Sequence, residues 1–174
     1  MRMNIPVYDL TVAQFTRGLT NLKGVLEKGR ALAESKKIEF SVLLNTRLAP
    51  DQFALARQIQ IACDTAKICC ATLSGVAAPV MEDKEQTFEE FQTRIDKTIA
   101  FLQTLNPEQF VGFEKRAFTS ARRPGLHLEG RDYLHQHAIP NFYFHVTTAY
   151  SILRANGVDL GKRDYLGDPS WKKD

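Results

Sequence analysis

Tyr8, Val12, Phe15, Leu19, Leu22, Leu26, Gly29 and Ala33 follow one another by alternating fours and threes without a miss. A period of 3.5 residues held over several heptads lays one apolar seam along a helix, and that seam packs at a shallow angle in a bundle. The pattern predicts a first helix over about 7–35. Gly18, Gly24 and Gly29 lower its intrinsic propensity, so tertiary packing must hold it. Lys36-Lys37 suits the negative C-terminal end of such a helix.

Three more helices are readable. The second, about 50–74, opens on Leu48-Ala49-Pro50-Asp51, with proline and then an acid in the first turn, and stops at Gly75. Its apolar residues make more than one stripe: Phe53, Ala56, Cys63 and Cys70 on one side, and Leu55, Ile59, Ala62, Ala66 and Leu73 on another. A helix apolar most of the way round is central in its fold. Arg57, Gln60, Asp64 and Lys67 ride it too, so polar groups point inward. The third, about 88–105, starts with Thr87 and Glu90 as a capping box, and Asn106-Pro107 ends it. Phe88, Phe91, Ile95, Thr98, Leu102 and Leu105 form its seam, and it reads as structural alone.

The fourth helix, about 140–156, is bounded by Pro140 and Gly157. One seam runs Asn141, His145, Thr148, Ile152, Ala155, polar first and apolar later. Beside it lies an apolar row of Phe142, Val146, Ala149 and Leu153. The four helices predict an all-α, antiparallel-type four-helix bundle, a single domain over 1–174, with a long crossover between helices three and four.

The connectors carry information as well. Residues 38–46 read as a loop packed on the bundle with a short helical turn, and 77–86 as a plain connector. Glu108 to Gly130 is too long for a mere turn. Alternation in Phe113–Phe118 and Leu126–Glu129 predicts two short strands able to pair as a β-hairpin, either a lid over a pocket or a surface insertion. Arg131–Ile139 leads into the last helix and holds His135 and His137. The tail from Val158 is expected to lie on the bundle, anchored by Leu160, Tyr165, Leu166 and Trp171.

Composition excludes several classes. Net charge is +3, and no basic block is longer than a pair such as Arg122-Arg123, Lys36-Lys37 or Lys172-Lys173. A nucleic-acid binder shows a basic stripe or a reading motif, and neither is present. No run approaches the roughly 20 apolar residues of a membrane helix. Met1 to Pro6 has no signal-peptide core. Cys63, Cys69 and Cys70, an odd and clustered set, suit small buried hydrophobes in a reducing cytoplasm better than disulfides.

Chemistry concentrates where the second and fourth helices face each other. His145 is one candidate, since neutral imidazole is the commonest metal ligand. Residues four apart share a helix side, so a metal site would want a second histidine at 141, where asparagine stands. Pro140 argues that the helix begins or kinks between His137 and Asn141. The bland alternative for His145 is a core histidine hydrogen-bonded to Asp64. Gln60, Asp64, Asn141, His145 and Tyr133 are the candidate pocket residues, and His145, His137 and Asp64 the candidate metal ligands. Nucleophile elbows, phosphate loops and paired CxxC sites are absent.

The blocks Ala54–Lys67 and Pro140–Tyr150, with Gly161-Lys162 and Asp164–Gly167, resemble the signatures of a bacterial domain-of-unknown-function family within the DinB/YfiT-like superfamily of four-helix bundles. That resemblance implies a ligand site mainly between the second and last helices. Better-known members of the superfamily bind a divalent metal through three histidines, and some are thiol-dependent transferases or isomerases. By position His145 matches a last-helix histidine, while Asn141 replaces its partner and the second helix has no histidine. Three readings stand: a small-molecule-binding bundle, a metal-dependent enzyme holding zinc or nickel through an atypical ligand set, and a homodimeric interaction module.

Overall fold

The computed structural model describes residues 5–172. Most of the start examined for a leader, and Lys173 of the last basic pair, lie outside the described residues. A π-helical turn, Asp9–Ala13, feeds α1 (Gln14–Lys36), followed by the short α2 (Phe40–Leu44), α3 (Leu55–Ser74) and α4 (Phe88–Gln103). Two 3₁₀ turns lead to β1 (Ala117–Thr119), which pairs with β2 (His127–Glu129). The register is antiparallel, with Phe118 opposite Leu128. Helical chain then runs from α5 (Gly130–Asp132) through a π-helical Tyr133–Ala138 into α6 (Ile139–Ala155), and α7 (Lys162–Leu166) closes the described chain.

The bundle is α1, α3, α4 and α6. Val12, Phe15, Leu19, Leu22, Leu26, Gly29 and Ala33 are all buried, as the heptads require. α3 lies on both α6 and α4 and is the central helix. Leu55, Ile59, Ala62, Cys63, Ala66 and Cys70 on it are sealed from solvent. The capping box on α4 forms, Glu90 N–H donating to Thr87 Oγ1 while the Glu90 carboxylate accepts from Thr87 N–H at 3.0 Å. Among the described residues no helix is long and apolar enough to cross a membrane.

Three expectations need correction. The second helix begins at Leu55 rather than near 50. Pro50-Asp51 lie in a loop closed by Leu55 N–H on Thr46 O at 3.0 Å, and extended Ala54 is the N-cap. Pro140 does not start the last helix. The chain is already helical from Gly130, and the wide π-turn before the proline is where a helix absorbs a ring that would clash with the carbonyl four residues back. Trp171 is no anchor, being 86% exposed. Gly167 ends α7 at φ 66° and turns the following chain outward. The rest of the tail does lie on α1, through Arg17 and Asn21 donating to the carbonyls of Leu166 and Tyr165.

Candidate ligand cleft

A cleft of about 290 Å³ opens between α3 and α6 and is roofed by the hairpin. α3 contributes Arg57, Asp64 and Thr65, the α6 side His137, Asn141 and His145, and the roof Phe118 and Arg122, with Tyr133 behind. Phe118 stacks on Tyr133 with ring centroids 3.9 Å apart, and the His137 ring lies 5.4 Å from Phe118. Larger hollows beside α2, beside the first π-turn, along the 77–86 connector and at the hairpin loop hold none of Gln60, Asp64, Tyr133, His137, Asn141 and His145, although His135 lines the one at the π-turn.

The polar atoms are set by a short chain of hydrogen bonds. Gln58 donates its amide nitrogen to Phe53 O at 2.9 Å, which leaves the amide oxygen as an acceptor. His145 Nδ1 meets that oxygen at 2.6 Å, so Nδ1 carries the proton and Nε2 presents a bare lone pair. Nε2 has no hydrogen-bond partner among the described residues. Burial, and next the Arg57 cation, hold the imidazole down at about 4, so it is neutral at physiological pH. One turn earlier on α6, Asn141 donates to Thr65 Oγ1 at 2.8 Å.

Asp64 and His145 line the same cleft but do not bond each other, contrary to the expected pair. On α3, Gln58 and Thr65 face α6, whereas Asp64 sits about a third of a turn further round, toward α4. There Arg94 Nη2 donates to Asp64 Oδ1 at 2.9 Å and to Asp83 Oδ1 at 3.0 Å, and Arg94 Nη1 donates to Glu85 Oε1 at 2.8 Å. Lys67 reaches Asp64 at 3.1 Å, and Arg57 pairs with Asp83. Gln60 is absorbed too, donating to Glu85 Oε2 at 2.9 Å and accepting from Arg57, and it does not line the cleft. Three cations against three carboxylates make a neutral network clamping α3, α4 and the 77–86 connector together. The expectation that α4 is structural alone agrees with this clamp but does not name Arg94 for it. Its only signal in the sequence is a charge directly beside the seam residue Ile95.

The divalent metal implied by the superfamily does not fit these residues. Among the described residues no three His, Cys, Asp or Glu side chains come together as ligands. Asp64 Oδ1 is occupied by two cations, and the position one turn before His145 is an amide, a poor zinc ligand beside imidazole or carboxylate. His137 packs against Phe118 and Tyr133 in the aromatic stack. The cysteines offer no thiolate either, because burial pushes the Cys63 and Cys70 thiols up to about 12. Burial also raises the Tyr133 hydroxyl, which stays protonated.

The neutral imidazole has a measurable consequence. Its folded pKa lies below the ordinary value of 6.5, so the unfolded chain binds the proton first. Its stabilising contribution is complete above pH 6.5 and declines as pH falls toward 4. With water in the cleft screening the ring, wild type should lose about 1 kcal/mol more than His145→Gln between pH 7.5 and 5.5. Urea titrations across that range check it, and parallel curves for the two proteins would show that the ring is not held neutral.

Comparison with known proteins came out as follows. Residues 7–166 match the family model described as "Domain of unknown function (DUF1993)". The fold is similar to the crystal structure of a DinB family member protein from Shewanella denitrificans, with a TM-score of 0.92 and 46% sequence identity over 97% of this chain and 96% of that one. No curated protein matches.

Proposed function

Since this chain belongs to the DUF1993 family, within the DinB-like superfamily, we propose that it is a small-molecule-binding helical bundle whose ligand enters the cleft between α3 and α6. The reading rests chiefly on His145. Its Nδ1 is locked by Gln58, and its bare, neutral Nε2 is left without a partner at the cleft. Nε2 is not a buried orphan but opens onto the cleft, so a fixed neutral acceptor there is suited to receive a ligand's donor. The Phe118–Tyr133 stack supplies an apolar wall and the hairpin a cover, the usual make-up of a ligand pocket. The reaction class inherited from metal-dependent superfamily members does not follow, because the donor set for a metal is incomplete.

Phe53 and Phe144 are exposed at 49% and 54%, and Phe53 is at the cleft rim.

Two measurements on untagged protein test the proposal together. Metal analysis should find zinc and nickel well below one per chain, and fragment hits mapped by amide chemical shifts should converge on α3, α6 and β1. Stoichiometric metal that disappears in His145→Ala would replace the reading with a metal-dependent enzyme. Hits scattered over other surfaces would remove the cleft from consideration.

A further inference from the structure

The ligand class can be narrowed, on the footing of the cleft reading above. Three features meet there. The first is the acceptor at His145 Nε2, whose tautomer is fixed through Gln58 by the Phe53 carbonyl. The second is the Arg57 guanidinium, on the residue adjacent to Gln58 and lining the same cleft as His145. Arg57 uses Nη1 on Asp83 and Gln60, which leaves Nε and Nη2 without partners among the described residues. The third is the flat Phe118–Tyr133 stack.

A neutral imidazole cannot greet an anion with charge, so the acid group of a ligand belongs at Arg57. The bare nitrogen requires an O–H or N–H. Both groups line one cleft of about 290 Å³, so one small molecule that reaches both carries its donor and its anion close together. We propose that the cleft binds a 2-hydroxy or 2-amino carboxylate with an apolar or aromatic side group. Its hydroxyl or amine donates to His145 Nε2, its carboxylate sits on the free donors of Arg57, and its side group lies against Phe118 and Tyr133. Arg122 on the roof adds positive charge at the mouth, favouring entry of the anion. Asp64 stays out of this contact because Arg94 and Lys67 hold it.

Mandelate and two relatives that each lack one feature make the test. O-methylmandelate has no donor, and mandelamide has no anion. In heteronuclear NMR titrations of the full chain, mandelate should bind at least about tenfold more tightly than either relative. A site built around a hydrogen bond rejects analogues that cannot make it. In His145→Ala the preference over O-methylmandelate should shrink to within about twofold while the preference over mandelamide persists, and Arg57→Gln should do the reverse. Equal affinities for all three on the wild-type protein overturn the ligand class but leave the cleft standing, provided all three shift cleft amides. Absence of any shift with mandelate overturns the class outright, and the fragment map then judges the cleft independently. The wild-type comparison needs no variant to fold.

Discussion

Replacing Arg94 with methionine should cost about 3 kcal/mol of folding stability, the low end of the penalty for removing one partner from a buried ion pair, because solvent screens its partly exposed carboxylate partners. The Arg94 side chain is 1% exposed and holds Asp64, Asp83 and Glu85 at 2.8–3.0 Å. Without it three carboxylates face one another with only Lys67 and Arg57 left to balance them. For a chain of this length the melting temperature should fall by roughly 6–12 °C. Lysine at 94 should recover only part of the loss, since a point charge cannot serve the two guanidinium nitrogens' separate partners. The network is not itself evidence of high stability. Arg94 Nε is buried without a partner, and taking ions out of water is expensive. Methionine at 94 combined with Asp64→Asn, Asp83→Asn and Glu85→Gln should therefore be more stable than Arg94→Met alone. A thermal or denaturant melt reads all of this, and a loss under 1 kcal/mol in Arg94→Met would dissolve the clamp as described.

Gly130→Ala should be as damaging, by about 3 kcal/mol, for a steric reason. A Cβ built on Gly130 comes within 1.9 Å of the Phe113 carbonyl oxygen and 3.1 Å of a Leu73 methyl. The first obstacle is backbone, so no rotamer change relieves it, and the chain must shift at a cost in the upper range for overpacking. Gly130 stands where β2 passes into α5, and its neighbour across the contact leads into the 3₁₀ turn before β1. Displacing that turn should carry the hairpin with it and loosen Phe118 from Tyr133. Calorimetry with amide spectra of Phe118 and its neighbours checks the prediction. A variant within 0.5 kcal/mol of wild type, with unmoved hairpin signals, would mean that the contact relaxes freely.

Phe113–Lys115, expected in the first strand, is a 3₁₀ turn, and the Phe118–Leu128 register came from the structure. The four long helices, the capping box at Thr87 and the existence of two short strands rest on spacing or alternation within one segment. The chain spells these out, because a helix or strand repeat is decided by neighbours a few residues away. The same is true of α3 being central, which its surplus of apolar faces announces. The pairing of side chains between helices is different in kind. Asp64 and Gln58 ride one helix about a third of a turn apart, and a rotation of that size decides which of them meets His145. Helix rotation and register emerge only when all four seams pack at once, so the roles of Gln58, Arg94 and the connector carboxylates Asp83 and Glu85 surfaced in the structure alone. The π-turn ahead of Pro140 is of the same kind: proline forbids one hydrogen bond, and the surrounding packing decides whether the helix stops there or widens and continues.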